Sequence, residues 1–159
     1  MAIHGLTTHL WFDQQALEAA EFYVALFPDS HMKSVSYYRE GAPMPAGTVL
    51  VVEFDLMGQP FAALNGGPEF PHSEAVSFQV KCDAQDEIDR LWDALISDGG
   101  EESMCGWCKD KFGVSWQVVP TRLQELLEGD DQQAADVAWA ALMEMRKLDI
   151  AGLEGRSSE

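Results

Sequence analysis

The chain has 159 residues and a mass of 17.6 kDa, a length that suits one compact domain or two small modules sharing a core. Its 27 acidic and 10 basic residues give a net charge of −17, so nucleic acid and anionic membrane surfaces are disfavoured as partners. No apolar run approaches the roughly 18 residues that a membrane-spanning helix needs.

The N-terminal residues 1–12 show no basic cluster followed by an apolar stretch, so no signal peptide is visible. The three cysteines are an odd number, which argues against the disulfide framework of a small secreted protein. A cytoplasmic protein with free thiols is therefore the expectation.

The first half of the chain predicts a strand, a helix and three more strands. In chain order these are a strand at 7–12, a helix at 14–27, and strands at 34–38, 48–56 and 60–64. Apolar residues at spacings of three and four give the helix a predicted buried face, and Pro28 ends it. This face consists of Leu17, Ala20, Val24 and Phe27.

The second half repeats this order and then becomes helical. It predicts a strand at 75–80, a helix that follows Asp83 and ends at Gly99-Gly100, and strands at 102–108 and 114–119. The apolar stripe of this helix is Ile88, Leu91, Trp92, Leu95 and Ile96. Asp83 and Asp86 are spaced like a capping box at the start of the helix. After Pro120, a short helical turn at 123–127 precedes a longer helix that Asp131 can cap. The predicted stripe of this last helix is Val137, Ala141, Met145 and Leu148, with Trp139, Leu142 and Met143 beside it.

Several segments of the chain together resemble one known family. They are Leu10-Trp11-Phe12-Asp13, residues 18–23, Phe27-Pro28, Leu64-Asn65-Gly66-Gly67-Pro68, residues 74–80, Cys105-Gly106-Trp107 and residues 110–120. Over residues 5–152 the sequence resembles the PhnB-like family, often labelled 3-demethylubiquinone-9 3-methyltransferase, of the vicinal oxygen chelate (glyoxalase/bleomycin-resistance) superfamily.

The resemblance implies an α+β fold in which two βαβββ modules form an incomplete barrel around a ligand cup. The expected domain spans 1–159, with module 1 at about 5–66, module 2 at about 73–120 and a C-terminal helical segment at 121–154. The resemblance also implies a homodimer.

Metal-dependent members of the superfamily use His, Gln or Glu side chains on inward-facing strand positions. The matching positions here are Ala75, Gln117, and either Thr8 or His9. Alanine cannot ligate a metal, and a neutral amide with one imidazole is a weak donor set. We therefore expect no catalytic metal and no other cofactor.

Strand alternation predicts which side chains line the cup. If Val76, Phe78 and Val80 face the helices, and with them Leu10, Phe12, Trp116 and Val118, then His9, Trp11, Ser77, Gln79, Ser115 and Gln117 face inward. Asn65, Cys105 and Trp107 complete the set of candidate ligand-binding residues. The inward set mixes polar groups with aromatic rings, as small-molecule sites do. The alternative is an ordinary packed core.

Two local motifs have both a functional and a structural interpretation. Cys105 and Cys108 have the spacing of a redox dithiol, but the motif lies in or beside a predicted strand with Glu101 and Glu102 nearby, which favours two buried thiols lining the cup. Residues 65–68 are the glycine-rich candidate for contact with S-adenosylmethionine, but they run into Pro68 rather than into a helix, which favours a tight turn.

The functional hypothesis is a protein that binds a small molecule, of unknown identity, in the cup without a metal. The alternative is an enzyme of the same fold, either a metal-dependent lyase, isomerase or dioxygenase, or a methyltransferase as the family label says. A dimeric interaction module is a third possibility. No reaction can be assigned from the residues alone.

Overall fold

The computed structural model describes residues 4–156, so residues 1–3 and 157–159 of the predicted domain lie outside the described part. The chain divides into two compact units, with the boundary between His72 and Ser73. The first unit contains β1 (Thr8–Phe12), α1 (Ala16–Leu26), β2 (His31–Tyr37), β3 (Val49–Leu56) and β4 (Gln59–Asn65). The second contains β5 (Ser77–Cys82), α2 (Gln85–Ile96), β6 (Glu101–Glu102), β7 (Trp107–Lys109) and β8 (Ser115–Pro120), followed by α3 (Thr121–Glu128), α4 (Gln132–Glu144) and α5 (Ile150–Leu153).

The two units have the same sheet topology. The strand order is β1-β4-β3-β2 in the first sheet and β5-β8-β7-β6 in the second. In each sheet the first and last strands of the unit are parallel neighbours, and the other pairs are antiparallel. Both sheets are open and mixed. The predicted α+β fold of two βαβββ modules with C-terminal helices is confirmed.

Helix α1 packs on one face of the first sheet through small side chains. Leu10 and Phe12 are buried, as predicted. The buried residues of α1 are Ala16, Ala19, Ala20, Tyr23 and Leu26. The predicted stripe was wrong at Leu17 and Val24, which are only partly buried. Three alanines let the helix backbone approach the sheet closely, so the contact face follows them rather than the larger side chains.

Helix α2 covers the corresponding face of the second sheet. Its buried residues are Ile88, Leu91, Trp92 and Leu95, as the apolar stripe predicts. Trp116 and Val118 are buried beneath it, whereas Phe78 and Val80 are half-buried. The predicted strand start was wrong, because Val76 precedes β5 and is 66% exposed.

The start of α2 is capped differently from the prediction. The Glu87 carboxylate accepts hydrogen bonds from the backbone N–H groups of Asp83 and Ala84. The Asp83 carboxylate instead accepts from the Thr121 hydroxyl, at 2.8 Å. Asp83 therefore links the start of α2 to the start of α3.

The C-terminal helices build an apolar cluster of their own within the second unit. Its buried members are Leu123, Leu126, Ala138, Leu142, Leu148 and Leu153, and Val119 of β8 and Cys105 pack against it. Asp131 caps α4, as predicted, by accepting from the Ala134 N–H. None of the helices within residues 4–156 is long and apolar enough to cross a membrane.

Helix α4 ends earlier than the apolar spacing suggests. It stops at Glu144, so Met145 and Leu148 lie beyond it, and Val137 is 40% exposed. The backbone carbonyls of Met145 and Arg146 accept hydrogen bonds from the N–H groups of Cys105 and Gly106. After Glu144 the backbone pairs with the turn at Cys105 and Gly106 and does not continue as a helix.

The predicted strand at 102–108 is a hairpin of two short strands. β6 and β7 flank a turn in which Cys105 (φ 59°) and Gly106 (φ 81°) both have left-handed backbone conformations. A Cβ atom at position 106 would lie 2.8 Å from the Val118 carbonyl oxygen. Only glycine fits there, and this bend interrupts the predicted strand.

Candidate functional site

The face of the second sheet opposite α2, here called the open face, carries the polar residues predicted from alternation. Along β8 this face presents Ser115, Gln117 and Val119 in turn. Their register partners on β5 are Ser77, Gln79 and Lys81. Trp107 of β7 lies opposite Gln117, and Lys109 lies opposite Ser115. The structure therefore brings Ser77, Gln79, Trp107, Ser115 and Gln117 together on one face.

Gln117 is at the centre of this face and is oriented by two neighbours. Its Nε2 donates to Ser77 Oγ at 2.8 Å, and its Oε1 accepts from Gln79 Nε2 at 3.3 Å. A primary amide has two N–H donors and two lone pairs on its oxygen. One donor and one acceptor site of Gln117 thus remain for another molecule, with the Trp107 side chain alongside.

Ser115 is buried without a hydrogen-bond partner for its side chain. Ser115 is 1% exposed, and no group within residues 4–156 forms a hydrogen bond with its Oγ. The side chain lines a cavity of about 120 Å³ together with Trp107, Lys109 and Glu74. Burying a hydroxyl without a partner costs about 1–3 kcal/mol, so this position is unfavourable for the fold taken by itself.

An ion pair lies at the rim of the Ser115 cavity. Lys109 Nζ pairs with the Glu74 carboxylate. The hydrogen bond between the two groups lowers the pKa of the Glu74 carboxyl and raises the pKa of the Lys109 ammonium group. Both groups therefore stay charged over a wide pH range, which gives the cavity rim a fixed polarity.

A larger groove extends from Gln79 in the opposite direction along β8. Its volume is about 400 Å³. It is lined by Gln79, Lys81, Val119, Pro120, Thr121, Leu123, Gln124, Leu127 and Glu128. One wall is thus the open face of the sheet and the other is α3. The sequence prediction missed Lys81, although its alternation with Gln79 would have placed it on the same face.

The corresponding face of the first sheet carries His9 and Trp11. His9 is exposed, and Trp11 is half-buried beside Leu64. The Trp11 Nε1–H donates to the Gly67 carbonyl at 2.7 Å, and its ring meets the Phe70 ring edge-on with centroids 5.0 Å apart. A Cβ at Gly66 would lie 2.2 Å from the indole, so the segment after β4 packs closely on Trp11.

Asn65 lies on the opposite face of the first sheet from His9 and Trp11. It is 2% exposed, and its Oδ1 accepts from the Ala16 N–H at 2.9 Å. Its Nδ2 donates to the Val49 carbonyl at 3.1 Å. The side chain lies on the helix side of the first sheet, at the beginning of α1, and its amide is engaged in holding these segments together.

The two cysteines of the C-x-x-C motif lie in different environments. Cys108 is buried opposite Trp116, and burial, assisted by Asp110 and Glu102, raises the pKa of its thiol to about 12. Cys105 lies in the left-handed turn and packs against the C-terminal cluster. Both are free thiols. A neutral buried thiol is a poor redox nucleophile, so these surroundings favour the structural interpretation.

Asp110 is a buried carboxylate in the loop before β8. Its Oδ1 accepts from the N–H groups of Phe112 and Val114, and its Oδ2 accepts from the Trp116 indole N–H at 2.8 Å. These bonds fix the loop that leads into β8. Asp110 thereby sets the position of Ser115 and Gln117.

The residues present do not form a fitting site for the divalent metal used elsewhere in the superfamily. No group of three His, Cys, Asp or Glu side chains in residues 4–156 is arranged to hold a metal ion. Ala75 lies in the turn before β5, and the residue that contacts Gln117 is Ser77. An amide bonded to a serine hydroxyl and a second amide offers only neutral oxygen donors.

Comparisons with known proteins agree with the fold. Residues 4–119 match the family model described as 3-demethylubiquinone-9 3-methyltransferase. The PhnB protein of Bacillus cereus is 35% identical over 74% of this chain and 100% of its own, with a TM-score of 0.68. Two more distant proteins share the fold. Protein PA1353 of Pseudomonas aeruginosa is 21% identical over 74% of this chain and 98% of its own, with a TM-score of 0.59. The fosfomycin resistance protein FosX of Mesorhizobium loti is 14% identical over 72% of this chain and 90% of its own, with a TM-score of 0.50. No curated protein matches the sequence.

Proposed function

The chain belongs to the PhnB-like family of the vicinal oxygen chelate superfamily, and we propose that it binds a small molecule on the open face of its second sheet without a catalytic metal. The proposed site follows β8 through Ser115, Gln117 and Val119. It combines an oriented amide, an aromatic side chain and adjoining concave space, which is the usual composition of a small-molecule site.

The observation that carries the proposal is the buried, unpartnered hydroxyl of Ser115. Native proteins satisfy nearly all buried polar groups, so an exception beside a cavity requires an explanation. A ligand with a polar atom in the cavity would satisfy the Oγ, and the neighbouring Gln117 amide would supply a second contact.

The glycine-rich segment at 65–68 weighs against methyl transfer from a bound nucleotide cofactor. Gly66 is packed against the Trp11 ring, and the Gly67 carbonyl accepts the indole N–H. A segment engaged in this way has little backbone free to cradle a nucleotide. The proposal therefore does not extend to the methyltransferase activity named in the family description.

The test compares two serines on the same row of the sheet. Ser115→Ala removes the unpartnered hydroxyl, and we expect it to raise the free energy of unfolding by about 1 kcal/mol while weakening ligand binding. Ser77→Ala is the matched control, because Ser77 Oγ accepts from Gln117 and its loss should destabilise the fold by a similar amount.

Thermal melts and urea titrations measure stability, and tryptophan fluorescence against a panel of small aromatic and aliphatic metabolites measures binding. If Ser115→Ala destabilises the protein as Ser77→Ala does, Ser115 is an ordinary structural residue. That result, together with a panel that gives no hit, contradicts the proposed function.

The absence of a catalytic metal is tested separately by melting the protein with manganese, zinc, nickel or ferrous ions. A ligand that binds only the native state raises the melting temperature. With Ala75, Ser77 and Gln117 in the second unit, we expect no shift. A clear shift that disappears in His9→Ala or Gln117→Leu would overturn this part of the proposal.

A further inference from the structure

We propose that the groove between the second sheet and α3 selects amphipathic ligands that carry a single negative charge, with Lys81 binding the anionic group. This inference rests on the proposed function, because the groove shares Gln79 with the amide row of the open face. It adds a ligand class and assigns a binding role to the C-terminal helical segment.

Helix α3, which forms one wall of the groove, lies after the part of the chain that the family model matches. The match ends at residue 119, whereas Leu123, Gln124 and Leu127 of α3 line the groove. The Bacillus cereus relative is covered completely by 74% of this chain. The α3 residues that form this wall therefore lie beyond the segment that the family model matches.

The segment that contains α3 is held firmly to the second sheet. Val119 packs against the C-terminal cluster, and the Gln85 side chain donates to the Leu148 carbonyl and accepts from the Ile150 N–H. The backbone bonds from Cys105 and Gly106 to residues 145 and 146 add a third attachment. The groove thus has two fixed walls, which reduces the entropy lost when a ligand binds.

Lys81 differs from three of the other four lysines, because no carboxylate in the described residues forms an ion pair with it. Lys33, Lys109 and Lys147 each form an ion pair with an aspartate or glutamate. In the described part of the chain, the recorded partner of Lys81 is the neutral Gln124 Oε1, at 2.8 Å. In a protein with a net charge of −17, an ammonium group that faces a groove without a carboxylate partner is a favourable local point for an anion.

Glu128 restricts the ligand to one negative charge. Both of its carboxylate oxygens accept from Gln124 Nε2, at 3.1 Å, which turns the amide oxygen of Gln124 toward Lys81. Glu128 also lines the groove, so a second anionic group would meet a like charge. A monoanion that bonds Lys81 and leaves the Glu128 end empty fits this arrangement.

The remaining lining requires an apolar body. Val119, Leu123 and Leu127 form the apolar part of the wall, and the volume of about 400 Å³ lies within the range of sites for small organic ligands. The apolar wall supplied by α3 and the charges of Lys81 and Glu128 together point to a compact apolar or aromatic molecule with one carboxylate or sulfonate group.

Two fluorescent probes test the charge requirement, because they share an aromatic skeleton. 8-Anilinonaphthalene-1-sulfonate carries one negative charge, and N-phenyl-1-naphthylamine lacks the sulfonate. Titrations use the full chain under native conditions, with circular dichroism melts to show that each variant is folded. We expect both probes to bind and the anionic probe to bind more tightly.

The variants distinguish the role of Lys81 from general effects. Lys81→Met should weaken the anionic probe about tenfold and leave the neutral probe unchanged. Lys147→Met is the matched control, since it removes a cation of the same unit that lies outside the groove lining. Leu127→Ser should weaken both probes.

The outcomes separate the two proposals. If both probes bind, if Leu127→Ser and Gln79→Ala weaken them, and if Lys81→Met has no more effect than Lys147→Met, the charge inference fails while the proposed function stands. If both probes bind Leu127→Ser and Gln79→Ala as tightly as they bind the unaltered chain, the groove is not their site, the inference is overturned, and the Ser115 experiment decides the proposed function. If neither probe binds the unaltered chain, the inference is overturned, and the Ser115 experiment decides the proposed function.

Discussion

The amide of Asn65 connects the end of β4 to the start of α1 and to β3. The first N–H groups of a helix have no partner within the helix, and Gln15, at the N-cap position, forms no side-chain cap. Asn65 supplies the missing acceptor to Ala16 from a distant part of the chain. The two glycines that follow Asn65 suggested a loop residue that contacts a ligand. The pairing of β1 with β4 shows instead that its side chain lies next to the start of α1, where it stabilises the fold.

Trp11 and Gly66 form a second interaction that depends on tertiary contact. The ring of Trp11 occupies the space where any side chain at position 66 would lie. Alternation correctly placed Trp11 on the face opposite α1, and the loop that packs over it could not be read from periodicity. The contact of its indole with Gly67 and Phe70 makes Trp11 an anchor for the segment that ends the first unit.

The three thiols should differ in reactivity. Cys82 and Cys108 are buried, which raises their pKa values to about 11 and about 12, whereas Cys105 is only partly buried. In native protein at pH 8 we expect iodoacetamide to modify Cys105 first, because the thiolate is the nucleophile and must be reachable. Peptide mass spectrometry locates the label, and modification of Cys108 as fast as Cys105 would contradict the structural interpretation of the motif.

The same shifts predict how stability depends on pH. Both thiols titrate at a higher pH in the folded chain than in the unfolded chain, so the unfolded state loses protons first. The free energy of unfolding should therefore be unaffected by these thiols below about pH 9 and should fall as the pH rises toward 12. Urea titrations of the unaltered chain and of Cys108→Ala measure this dependence, which should be weaker in the variant.

At the scale of elements, strand alternation predicted which side of each strand faces a helix, except at Val76, which precedes β5 and is exposed. Leu10, Phe12, Trp116 and Val118 are buried as expected, because each strand packs one face against a helix and the period of two is unambiguous there. The matching topology of the two units also followed from the repeated order of elements. These features depend on local pattern, which a single sequence contains.

The errors occurred where a distant contact overrides the local pattern. Close packing of alanines determines the buried face of α1, and a backbone pairing with the Cys105 turn ends α4 at Glu144. The bend at Gly106 depends on the nearby Val118 carbonyl. Residues 115 and 117 were therefore predictable as a face, but the partnerless state of Ser115 and the wall formed by α3 were not.

Corresponding rows of the two sheets have different chemistry. Trp11, Leu64 and Val51 form an apolar row in the first sheet, whereas Gln79, Gln117 and Trp107 form the equivalent row in the second. The fold supplies the same positions twice, and side-chain identity alone distinguishes them. This difference is the reason for assigning the proposed site to the second unit.

At the scale of the whole molecule, the acidic charge limits which surfaces can attract a partner. A chain with 27 acidic and 10 basic residues repels other acidic proteins at long range, so self-association must rely on apolar contact. Helix α4 offers such a contact. Trp139 is 57% exposed and Met143 is 52% exposed, and they are four residues apart on the same side of the helix.

We propose that two chains associate through this side of α4. A tryptophan buried at an interface is a frequent energetic centre, worth about 2 kcal/mol or more when truncated. Light scattering at micromolar concentration should give twice the chain mass of 17.6 kDa. Trp139→Asp should give the single-chain mass, because a carboxylate would be desolvated in the contact. Met57→Asp changes an equally exposed apolar residue in the β3–β4 turn and should leave the dimer intact. A single-chain mass for the unaltered protein, or a dimer that persists in Trp139→Asp, would contradict this assignment.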